Sequence, residues 1–150
     1  MPNMTDQNRV NAIMQALLSP SSTFTITPGT SGGSAFTITP PYRLRLMTTP
    51  GSNTSNGTEL ANGAGYTTGG ASMGSSAFGT PSGGVQTNNN AVSWSVTGSW
   101  STVTAIEIWD SASTPLRWLQ GALTSQIQGA ANGDTVQFAA ASISISGAAW

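Results

Sequence analysis

The chain has 150 residues, of which 37% are hydrophobic and 6% charged: four arginines and five acids, with no lysine, histidine or cysteine, for a net charge of −1. An ordinary domain carries roughly 25% charged residues, and without them there is no basic stripe to displace counterions from a nucleic acid or to hold an anionic membrane surface. Disulfides, thiolate nucleophiles, zinc sites with His or Cys ligands and His-based proton shuttles are excluded as well.

The first element is a helix. Thr5 suits the N-cap and Asp6 the positive end of the dipole. Apolar residues then fall at Val10, Ile13, Met14, Leu17 and Leu18, the spacing of an amphipathic helix of about 14 residues ended by Ser19-Pro20. Alone in water such a helix is marginal and needs a surface to bury its stripe. Beyond Pro20 the period changes to two. Thr23-Phe24-Thr25-Ile26-Thr27-Pro28 is repeated nearly verbatim by Ala35-Phe36-Thr37-Ile38-Thr39-Pro40, with the flexible Gly29–Gly33 connection between. The two copies form either a hairpin or an extended arm, and their bounding prolines place them at a periphery.

From Pro41 the pattern is continuous β. Tyr42, Leu44 and Leu46 share one strand face, Arg43 and Arg45 the other. Residues 51–65 read as loop, and residues 66–84 as either a long surface loop or short edge strands. Val92, Trp94 and Val96 alternate with serines. Val103 to Trp109 is a run apolar enough for burial on both faces. Leu116 to Leu119 and Leu123 to Ile127 are two short strand candidates. Asn132-Gly133 is the strongest hairpin signal, expected to join the strand around Val136 and Phe138 to Ile143 and Ile145. Short strands at this turn spacing predict an all-β fold: an antiparallel β-sandwich of jelly-roll or Greek-key character with one short N-terminal α-helix.

The chemistry available is narrow. Paired carboxylates could serve glycoside hydrolysis, and Glu107 and Asp110 are the nearest candidates. Three positions apart on a strand, they point to opposite faces; a turn-capping Asp110 and a Glu107 paired with an arginine is the preferred reading. Arg43 and Arg45 could pair with Glu107 or Glu59. Gly69-Gly70 and Gly83-Gly84 lack the Lys-Ser/Thr of a phosphate loop. Asp134 has no acidic companion for calcium. No catalytic residue, metal or cofactor is expected. The five tryptophans read as core and interface anchors rather than a sugar-stacking platform. No apolar run reaches the roughly 20 residues that span a bilayer, and no secretory signal is expected. A surface solvated by uncharged groups favours association, which suits a protein held at high copy number in a larger assembly and equally an extracellular module facing glycans.

Three stretches carry a resemblance: Pro41 to Thr48 with the following Gly57-Thr58-Glu59-Leu60 and Gly65-Tyr66; Trp100 to Asp110; and Leu116 to Leu123 with Gly133 to Phe138, Ile143 and Ile145. Over residues 41–147 the chain resembles small bacteriophage virion proteins of the head decoration, minor capsid or tail-fibre-like group. The resemblance implies a β-rich virion component without enzymatic activity. Residues 1–40 lie outside the shared pattern and are expected to form an attachment or oligomerisation segment, with residues 41–150 as the virion domain. The expected function is a decoration (cement) protein on the outer surface of the capsid, with the major capsid protein as partner; the alternative is a tail or fibre adhesin binding host-surface glycans. Three-fold positions are common docking points on icosahedral lattices, so a homotrimer is expected. Val10, Ile13, Met14, Leu17, Leu18, Phe24, Ile26, Phe36 and Ile38 are the candidate contact residues, either covering their own domain or reaching to a neighbour.

Overall fold

The computed structural model describes residues 7–18, 24–26, 35–74 and 76–146. Helix α1 (Gln7–Leu18) comes first, where the apolar spacing places it; Thr5, Asp6, Ser19 and Pro20 lie outside the described residues. The strands follow as β1 (Phe24–Ile26), β2 (Phe36–Ile38), β3 (Arg43–Thr49), β4 (Thr58–Glu59), β5 (Ala71–Ser72), β6 (Val85–Thr87), β7 (Val92–Ser95), β8 (Val103–Trp109), β9 (Arg117–Ile127), β10 (Thr135–Phe138) and β11 (Ser144–Ser146). The fold is mostly β, with antiparallel pairings and one short helix, as the periodicity predicts.

The duplicated segments form a hairpin: Phe24 lies opposite Ile38, Thr25 opposite Thr37 and Ile26 opposite Phe36. The main sheet runs β4-β3-β8-β9, with β5 also pairing β3. Leu44 sits opposite Ile108 and Leu46 opposite Ile106, so the apolar residues of β3 and β8 share one face. The pairs β7–β10 and β6–β11 complete the sandwich. One core holds Leu44, Leu46, Val92, Trp94, Val96, Trp100, Val103, Ile108 and Ile143, together with Met14 and Leu18 of α1 and Ile38 of β2. Trp94 packs edge-on against Phe138 at 6.2 Å, and Tyr66 against Trp100 at 6.0 Å.

Two side chains substitute for backbone pairing. On the side away from β8, β4 and β5 pair with the two ends of β3 and leave its middle without a strand; there the Tyr66 hydroxyl accepts from Leu46 N at 3.2 Å. Asn88, 2% exposed, donates to Asn90 O and Ala139 O and accepts from Ile143 N, at 2.8, 2.9 and 2.8 Å. It clasps the turn that leads into β11.

Two expectations need correction. The candidates Leu116–Leu119 and Leu123–Ile127 are one strand, β9, because β8 pairs with the residues between: Gln120 lies opposite Glu107, Gly121 opposite Ile106 and Ala122 opposite Ala105. The Asn132-Gly133 turn does not join β10 to β11. Gly133 N donates to Val96 O at 2.9 Å, which fixes the turn beside the end of β7; β10 then pairs with β7 and β11 with β6.

Candidate contact surface

The register that puts leucines inside β3 puts Arg43, Arg45, Glu107 and Trp109 on the opposite face. On that face the loop from Pro50 to Gly57 covers Glu107 and the Arg45 guanidinium covers the Trp109 ring; both are buried, in keeping with the two-sided burial expected of this run. Glu107 pairs with Arg117, not with Arg43 or Arg45, at 2.8 Å. Its Oε1 also accepts from Gly57 N at 2.9 Å, and its Oε2 from Trp109 Nε1 at 3.0 Å. Arg117 Nη1 donates to Ser55 O at 2.8 Å and Nη2 donates to Ser52 O. The buried pair thereby grips both sides of a loop whose residues 52–56 are exposed. A Cβ at Gly57 would overlap Thr49 O and Gly51 N, so the loop closes only with glycine there.

The remaining described charges are similarly occupied. Arg45 contacts Glu59 at 3.3 Å and lies 4.1 Å over the Trp109 ring, a cation–π geometry. Glu59 Oε1 accepts from Tyr66 Oη at 2.6 Å and Gly69 N at 2.7 Å. Arg43 donates to Gly69 O and Gly70 O at 2.7 and 2.5 Å. Asp110 Oδ1 accepts from Leu116 N at 2.8 Å and closes the turn before β9. Burial pushes the Tyr42 and Tyr66 hydroxyls well above the ordinary tyrosine range, reinforced by Asp110 at Tyr42 and by the Glu59 hydrogen bond at Tyr66. Among the described residues no three acidic side chains gather as a metal site.

The nine candidate contact residues divide. Met14, Leu18 and Ile38 are buried in the core of their own chain, and Leu17 packs against it. The Tyr42 hydroxyl donates to Leu17 O, and Gly84 N donates to Asn11 Oδ1 at 3.1 Å, so the helix is tied down at its middle and near its C-terminal end. Ile13 is left 45% exposed. The side chains of Val10, Phe24, Ile26 and Phe36 lie outside the described residues. Trp94, Trp100 and Trp109 are buried, each 8% exposed or less; Trp150 is outside the described residues.

An open cleft of about 260 Å³ has no signal in the sequence. Ile106, Ile108, Leu119 and Gly121 of the main sheet form one wall, and Ile143, Ser144 and Ile145 the other. Beside it runs β9, with Gln120, Gly121, Ala122, Thr124, Ser125 and Gln126 exposed. No charged residue occurs between Arg117 and Asp134. The side of β9 facing away from β8 carries no other strand among the described residues.

No curated protein and no solved structure matches the chain. A family model described as podophage GP4 fiber I protein gp80 matches residues 25–146, from the first strand to the end of the last. The match begins inside the N-terminal arm, upstream of the pattern recognised at residue 41. The chain belongs to this podophage fibre protein family and is a structural protein of the phage virion.

Proposed function

We propose that the protein is a fibre component of the virion, working by attachment and contact rather than catalysis. The observation that supports this most is the family match, whose description names a fibre protein and which runs from within β1 to the end of β11. The geometry agrees with a mechanical role. Of the two carboxylates weighed as a catalytic pair, Glu107 is occupied by Arg117, Gly57 and Trp109, and Asp110 uses Oδ1 to hold the turn at Leu116. What faces solvent along β9 is uncharged amide, hydroxyl and apolar surface, suited to packing against neighbours in an assembly.

Its partners on this reading are further copies of itself, in the trimer expected from the sequence, and the virion protein that anchors the fibre. Residues 1–40 remain the proposed attachment segment. Since Met14, Leu18 and Ile38 cover their own core, Ile13 is the large apolar side chain of that segment left for a neighbour among the described residues. Decoration of the capsid surface, the reading the sequence favoured, puts the protein on the major capsid protein instead. Copy number in purified virions and tailless heads separates the two. A few copies per particle, lost with the tail, are expected of a fibre; hundreds of copies retained on tailless heads would overturn the fibre reading in favour of decoration.

A further inference from the structure

Asparagine is followed by glycine three times, at Asn56-Gly57, Asn62-Gly63 and Asn132-Gly133. This dipeptide is the most self-reactive in ordinary polypeptide, because glycine has no side chain to shield its nitrogen. The glycine nitrogen attacks the asparagine side-chain carbonyl, loses its proton, and expels the amide nitrogen as ammonia. A five-membered succinimide results, and water opens it at either carbonyl to aspartate or isoaspartate. The net change is amide plus water to carboxylate plus ammonium, with no oxidation or reduction. Attack requires a glycine N–H free to turn toward the side chain and release its proton.

In this fold none of the three is free. Gly57 N–H donates to Glu107 Oε1 at 2.9 Å, Gly63 N–H to Tyr66 O at 2.8 Å, and Gly133 N–H to Val96 O at 2.9 Å. The acceptors are unrelated: a buried carboxylate, a turn carbonyl and a carbonyl beyond the end of β7. At Asn62 the electrophile is held as well, since Oδ1 accepts from Thr68 N at 3.3 Å. We infer that the folded chain holds all three latent modification sites shut, so that deamidation proceeds only through local or global opening. The consequence is large for a chain with five acids. Each event adds a negative charge to a nearly uncharged surface, and isoaspartate inserts a backbone carbon into a turn. The relevance to a long-lived virion part rests on the structural role above; the chemistry rests only on these hydrogen bonds.

The full-length chain, incubated at mildly alkaline pH in its native state and unfolded in urea, tests this, with aspartate and isoaspartate quantified at each site by peptide mass spectrometry. Native conversion is expected to be slower on the order of a hundredfold at all three sites, because reaction waits for opening. Native conversion at any of them within a few-fold of the urea rate would overturn the inference. Glu107→Ala is expected to release Asn56 alone, with Asn62 and Asn132 still slow; a folded variant with Asn56 still slow would count equally against it. If that variant does not fold, native-state hydrogen exchange decides: the Gly57, Gly63 and Gly133 amides must all be protected, and fast exchange at any one contradicts the assignment.

Discussion

Glu107 has no exposed surface, and Arg117, its charge partner, retains 13%. Removing one member of such a pair leaves the other buried and uncompensated, which costs about 3–5 kcal/mol. Glu107→Ala or Arg117→Ala is therefore expected to lower unfolding stability by about that amount in urea titration. Replacing both with apolar residues of similar volume is expected to lose far less, because the desolvation of both charges is relieved together. Tyr42 and Tyr66 give a pH dependence. Their ionisation is raised above the unfolded value of about 10, so native molecules keep protons that unfolded ones release. Stability is fully present below that value and falls as pH rises beyond it, by at most about 1.4 kcal/mol per pH unit for each tyrosine. Denaturation midpoints measured across the alkaline range should fall less steeply in Tyr66→Phe than in the parent.

Helix α1 belongs energetically to the sandwich it caps. Met14 and Leu18 are 6% and 7% exposed, and truncating a buried Met or Leu to Ala costs about 2–5 kcal/mol. Met14→Ala and Leu18→Ala should each destabilise the whole chain in a single cooperative transition, whereas Ile13→Ala should be close to neutral in isolated protein. Such elements were legible where a period ran uninterrupted. The spacing of Met14 and Leu18, the Leu44/Leu46 face against Arg43/Arg45, and the apolar Val103–Trp109 run all pointed to the faces they occupy. Pairing was not legible. The break at Gln120-Gly121-Ala122 resembles a turn until β8 is known to lie beside it. The Asn132-Gly133 turn is where local pattern put it, but its partner is set by Val96, far away in sequence. The same limit hid the role of Arg117, which needs β8 beside β9, that of the Tyr66 hydroxyl, which needs its loop on β3, and the cleft, which needs Ile143–Ile145 against the main sheet.

At the scale of the molecule, the sandwich is closed on the helix side and open along the cleft beside β9. Burying that apolar seam between copies is a route to the proposed trimer, and light scattering at micromolar concentration is expected to give three times the chain mass; a monomeric mass would refute it. The loop over the outer face has a different consequence. Arg117 holds the carbonyls of Ser52 and Ser55, and Glu107 holds Gly57 N, so the span of the loop's base is set from beneath. Asn53 and Thr54 sit beyond those anchors, both exposed. Lengthening a surface connection costs only a logarithm of its length. The tip is thus an exchangeable cassette: residues can be inserted between Asn53 and Thr54, or replaced there, while the base and the sheet below keep their geometry. A virion protein built this way can alter what it presents to its surroundings without renegotiating its fold.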